Sequence, residues 1–156
     1  MTKEIILAIQ RRITDEVHEL QYIDRDWNQF GYEQPAVKYP CALIDLTNVE
    51  YRHMTNTLQR ATATIAIHIA NQRLIPASAR APRKDNAYQT IDIIEHIHRA
   101  LNMFAGYPED EVSERVPYSF SPLIRTSMVK EVVNSSYEMY TIYYKTTFDD
   151  PVFSVR

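Results

Sequence analysis

One segment, Arg60 to Asn71, constrains this chain more than any other. Ala61, Ala63, Ile65, Ile67 and Ile69 alternate there with Thr62, Thr64, Ala66, His68 and Ala70. A period of two sends successive side chains to opposite faces, so the segment reads as a strand with one fully apolar face. Such a face must be buried against a second layer. Two amphipathic stretches can supply it. Ile6, Ile9, Ile13, Val17 and Leu20 recur at intervals of three and four, which predicts a helix over 3–19 with Thr2 able to cap it. Ala87, Ile91, Ile94, Ile97 or His98, Leu101 and Phe104 form the stripe of a second helix. Asp85 or Asn86 can cap its start, and Gly106 sits where a C-terminal cap is expected, with Pro108 beyond.

Other strands surround these elements. A short extended piece runs from Gln21 to Trp27, and an irregular stretch broken by Gly31, Pro35 and Pro40 leads into a strand from Cys41 to Tyr51. This strand and the alternating one suggest a hairpin around Asn56. The missing Asn-Gly pair predicts a longer loop instead of a tight primed turn. Leu123 to Val133 alternates weakly, and Tyr137 to Phe148 is dense in β-formers, with Asn134, Ser135 and Ser136 turning between them. Neighbouring strands joined by short polar links should pair antiparallel. The expected fold is a single α+β domain over 1–156: an antiparallel sheet of strands of mixed length with two α-helices packed on one face.

A chain of 156 residues, 45% hydrophobic and 24% charged, can bury a core without metal or disulfide staples. Its lone cysteine, Cys41, can form neither an internal disulfide nor a multi-cysteine zinc site, and reads as a small apolar strand residue. The formal net charge of −3 lacks the clustered cations of a dedicated nucleic-acid binder. No leader pattern and no apolar run of about 20 residues is visible, so a soluble protein made in the cytoplasm, with no membrane partner, is expected. With only Gly31 and Gly106, the chain cannot build a glycine-rich phosphate cradle or dinucleotide turn.

Residues able to do chemistry are scattered. His96 and His98, two apart on a helix, point away from each other and cannot share a metal. Glu95 and His98 have the i, i+3 spacing of di-iron bundles, but such sites need carboxylates on further helices. His68 lies opposite the isoleucine face, as a surface or interface histidine more than a general base. Asp24 and Asp26 share a face in an extended segment and Asp45 could lie near them; a solvated strand edge is the simpler reading than a Mg²⁺ or acid–base pair. Ser127, Ser135 and Ser136 sit in no nucleophile elbow, and His18 and His53 have no suggestive neighbours. The expectation is a protein that is not an enzyme and uses no cofactor. The basic loop over 72–85, with Arg73, Arg80, Arg83 and Lys84, is an exposed connection whose best functional reading is protein contact. Both faces of the tyrosine-rich last strand are apolar, and two helices on one side leave the other face for a partner subunit.

The order of elements resembles a known family. A long helix leads into "YPCALIDLTNVEY", then "RATATIAIHIANQR", a loop, the helix "AYQTIDIIEHIHRALNMF", and the paired strands "SPLIRTSMVKEVV" and "YEMYTIYYKTTFDD". This is similar, over nearly the whole chain, to the tail terminator or tail-completion proteins of long-tailed bacteriophages. The resemblance implies a structural virion protein without catalytic residues, assembled in the host cytoplasm. It implies a homohexameric ring that caps the tail tube, ends its growth and offers a docking surface for the neck and head, with DNA only passing through the lumen. Partners would then be further copies, the tail tube protein and a neck or head-completion protein. The basic loop and the tail over 149–156, together with Phe148, Val152 and Phe153, are the expected contact elements. Two alternatives stand beside this reading: a head-closure or tail-to-head connector of the same particle, and a cytoplasmic dimeric regulatory or interaction domain.

Overall fold

The computed structural model describes residues 1–72, 78–80, 82, 88–106, 120–131 and 136–151. Helix α1 spans Thr2–Glu16, β1 Tyr22–Arg25, β2 Cys41–Thr55 and β3 Leu58–Gln72. Helix α2 spans Gln89–Leu101, β4 Ile124–Glu131 and β5 Tyr137–Pro151. The strands form one sheet in the order β1-β2-β3-β5-β4. With two helices on one face of a five-stranded sheet, the fold is α+β, as the alternating segment and its two amphipathic partners require.

The alternating face of β3 lies at the centre. Ala61, Ala63, Ile65, Ile67 and Ile69 are fully buried. Against them pack Ile5, Ile9, Ile13 and Val17 from the first helical segment, Ile93, Ile94, Ile97 and Leu101 from α2, and Ile142, Tyr144 and Phe148 from β5. Each buried isoleucine contributes about 1.5–3 kcal/mol relative to an exposed one. The stripes are rotated slightly from the expected ones. Ile5 is buried while Ile6 and Leu20 are half-buried, and α1 stops at Glu16. In α2, Thr90, Ile93 and Ala100 join the buried side, whereas Ile91 is 37% exposed. The caps expected at Asp85 or Asn86 lie outside the described residues.

Three local expectations change. β1 pairs with β2 in parallel, Tyr22 opposite Cys41 through Arg25 opposite Ile44, so the sheet is mixed. Residues 26–40 form a crossover long enough to bring the chain back level with the start of β1. The β2–β3 hairpin is tight, with Thr55 paired to Leu58 across Asn56 and Thr57. Neither loop residue has positive φ, and a register shift between His53 and Thr55 accommodates the strand twist in place of a primed turn. The left-handed residue after α2 is Met103, φ 60°, not Gly106. Gly106 serves close approach: a Cβ there would lie 1.9 Å from Cε1 of Phe120, whose ring packs edge-on to Phe104 at 5.8 Å.

The face of the sheet away from the helices is partly sheltered by the chain itself. Tyr137 stacks on Phe30 and Tyr39, with ring centroids 5.5 and 5.7 Å apart. With Cys41 and Ala70 they make a small second cluster. Burial there pushes the Cys41 thiol up to about 12. At its Tyr137 end this face of β5 is therefore covered from within the chain and needs no partner subunit.

Candidate functional site

Among the described residues, two uncovered stretches of the sheet lie elsewhere, at the β4 edge and the distal hairpin. Among these residues, β4 is the last strand of the sheet and pairs with β5 alone. Every residue from Ile124 to Lys130 is exposed. Ile124, Met128 and Val129 are 50%, 48% and 44% exposed. Residues directly opposite in an antiparallel pair share a face, so Met128, opposite Ile142, lies on the helix side. Ile124 and Val129, opposite Lys145 and Thr141, lie on the other side. The edge thus offers apolar groups on both faces beside a row of backbone donors and acceptors. Natural edges are usually blunted against such pairing. Here Arg125 and Lys130 supply charge, with Lys130 Nζ 5.7 Å from the Tyr140 ring, and a register shift between Arg125 and Ser127 interrupts the ladder.

The second uncovered region is the far end of β2 and β3. Both strands, like β5, have 15 residues, a length of about 50 Å. From Glu50 to Thr57 exposure is high on both faces, and Tyr51 and Met54 are each half exposed. The arm is tied laterally, since Arg60 Nε and Nη2 donate to the Asp149 carboxylate at 2.8 and 3.2 Å.

Of the expected contact residues, Arg80 is exposed. Arg73, Arg83, Lys84, Val152 and Phe153 lie outside the described residues. Phe148 is corrected: it is 3% exposed, opposite Ala61 in the ladder and bridged to Phe120, and it belongs to the core. The tail also begins later than expected, because Asp149, Asp150 and Pro151 continue β5 against β3.

The scattered titratable groups are sorted by the fold. His96 and His98 diverge as expected. His96 Nδ1 meets the Glu19 carboxylate after α1, within a hollow of about 460 Å³ also lined by Arg12 and Glu16. Burial pushes Glu19 up, and hydrogen bonds from its own backbone and from His96 outweigh this to leave it below the usual range. His98 Nδ1 lies 3.1 Å from the Tyr144 hydroxyl, and burial followed by the nearby Arg125 charge lowers its pKa. Glu95 is exposed and joins no metal-ligating group with His98 among the described residues. Ser127 lies exposed on β4, Ser136 at the entry to β5, and Ser135 outside the described residues.

Asp24 and Asp26 part company. Asp24 Oδ2 accepts from the Tyr22 hydroxyl at 2.7 Å and Trp27 Nε1 at 3.1 Å. Asp26 turns instead toward Asp45 and His68, and the ligand atoms of these three all lie within 4.8 Å of one another. Two residues that sequence reasoning passed over hold this arrangement. Gln29 is fully buried, accepting from Trp27 N–H at 2.9 Å and donating to the Arg25 carbonyl at 2.9 Å, which fixes the turn carrying Asp26. Glu131 accepts from the Thr141 hydroxyl at 3.3 Å, and Thr141 meets His68 Nδ1 at 2.8 Å. A lone polar residue at either position gives no sequence signal, since its role depends on cross-strand register.

Among the described residues, no helix is long and apolar enough to cross a membrane. Comparison with known protein families and with curated proteins finds no match to this chain.

Proposed function

We propose that the protein is a structural subunit that closes into a homo-oligomeric ring, and that this ring caps the tail tube of a long-tailed bacteriophage and receives the neck of the head. The observation that carries the assembly part of the reading is the β4 edge, unpaired on its outer side among the described residues and apolar on both faces. An edge of this kind accepts a strand or surface from another chain through its backbone groups, and alternate side chains fill pockets on either side. The other edge strand, β1, has four residues against eight in β4, so head-to-tail contact between unlike surfaces suits the sheet better than edge-to-edge symmetry. The half-exposed Tyr51 and Met54 on the distal arm give a second contact zone, suited to the tube or the neck. The phage assignment rests on the order of elements, helix, three strands, helix, two strands, which the fold retains. The net charge of −3 suits a lumen through which DNA slides without sticking.

Electron microscopy of the purified protein, alone and mixed with tail tubes, tests the proposal. Rings alone or caps at one end of each tube are expected. A protein that stays monomeric at all concentrations and leaves tube ends bare overturns it. A two-fold dimer formed through β4 would replace the ring with the regulatory-domain reading.

A further inference from the structure

We propose that Asp26, Asp45 and His68 form a binding site for one divalent first-row transition cation, of the zinc class, on the sheet face away from the helices. Three features on separate elements converge there. Asp45 and His68 are diagonal neighbours on adjacent strands: Asp45 pairs with Ala66, two residues before His68, so both side chains lie on this face. Asp26 follows β1 directly, its N–H donating to the Ile44 carbonyl at 2.9 Å, and its Oδ1 accepts from Asn28 N–H at 2.7 Å. The free oxygen, Oδ2, lies 3.5 Å from His68 Nε2. Two ligand atoms bonded to one tetrahedral zinc lie about 3.4 Å apart, so this pair is already at coordination spacing.

The histidine is set for ligation from behind. The single hydroxyl proton of Thr141 is donated to Glu131, so its oxygen accepts from His68 Nδ1–H. In the neutral ring this leaves the Nε2 lone pair facing the two carboxylates. An imidazole held through one ring N–H, here by the Thr141 hydroxyl, with its second nitrogen turned to a ligand set is the arrangement by which proteins orient a metal-binding histidine. Neither carboxylate is otherwise neutralised: among the described residues His68 is the one side chain in ion-pair range of Asp26, and none pairs with Asp45. The side chains of His68 and Asp26 are 18% and 23% exposed, which leaves room for water to complete the coordination. One imidazole nitrogen with two carboxylates favours Zn²⁺, Co²⁺ or Ni²⁺ over Mg²⁺ or Ca²⁺, which take oxygen ligands.

Isothermal titration of the full-length protein with ZnCl₂, and separately with MgCl₂, tests the site. The His96–Glu19 pair and the exposed His18 and His53 can also take zinc, so the readout is the binding equivalent that each variant loses. Wild-type protein is expected to bind one more equivalent of Zn²⁺ than Asp45→Asn or His68→Gln. Thr141→Val, which removes no ligand, should keep the equivalent but weaken it by about 10- to 100-fold. Circular dichroism of each variant confirms that it folds, and Asp45→Asn keeps the side-chain shape should His68→Gln fail. Equal zinc stoichiometry in wild type and Asp45→Asn, zinc affinity unchanged in Thr141→Val, or Mg²⁺ binding as tight as Zn²⁺ would each overturn the assignment.

Discussion

If neighbouring subunits cover β4, then Ile124→Thr, Met128→Thr and Val129→Thr introduced together must weaken assembly without weakening the fold. Threonine keeps the strand preference and removes most of the apolar area. Complete burial of such side chains contributes about 1.5–3 kcal/mol each. Each is already roughly half covered within the chain, at 50%, 48% and 44% exposure, so a partner can bury only the remainder. Three such halves amount to about 2–4 kcal/mol per contact. Ordering at the interface offsets part of this, so the lower end is the safer expectation, near thirty-fold in the concentration at which subunits associate. Sedimentation velocity over a dilution series measures that concentration, and urea denaturation measures the fold. The chain alone should lose little stability, since exposed positions usually change it by about 0.5 kcal/mol or less. A triple variant that assembles at the wild-type concentration refutes the assignment of β4 as the covered surface.

Three further predictions rest on the fold itself. Gly106→Ala forces the Phe120 ring out of its contact with Phe104 and should cost about 1–3 kcal/mol in urea denaturation; an unchanged midpoint would show that the ring moves aside freely. Burial and then Arg125 lower the pKa of His98 below its ordinary value of 6.5, so well above that pH the ring is neutral in both states and adds no pH dependence. As pH falls below 6.5 the unfolded chain takes up the proton more readily, and stability falls; His98→Asn should show a shallower loss between pH 7 and 5, and equal slopes would refute the linkage. Cys41, buried and with its thiol pushed up to about 12, should resist aromatic disulfide reagents in the native protein and react at once in denaturant; rapid native labelling would mean that the Phe30–Tyr39 cover opens.

How far the fold was legible depended on the range of the cause. The buried face of β3 and the existence of both helices follow from periodicity, a local property, and these hold. The end of α2 was misplaced because Met103, with no sequence signal for a left-handed conformation, takes the role expected of Gly106. The parallel pairing of β1 was hidden because it depends on the path of residues 26–40, which the breakers Gly31, Pro35 and Pro40 mark as irregular without giving it a direction. Phe148 looked available because the strand's β-formers gave no depth; the Ala61 opposite it and the Phe120 bridge bury it. The Asp26–Asp45–His68 group shows both sides. Each residue was visible as one able to do chemistry, but only the register that sets Asp45 opposite Ala66 brings them into one cluster.

If subunits assemble through β4 as proposed, the register shift between Arg125 and Ser127 has a consequence for growth. An unbroken, flat, apolar border would let one sheet dock onto the next without limit, and fibrils would be the end point. The additional residue kinks this border, so a newcomer can zip along only a short run before its hydrogen-bonding groups fall out of step. A chain built this way can be sticky at its rim and still finish what it starts.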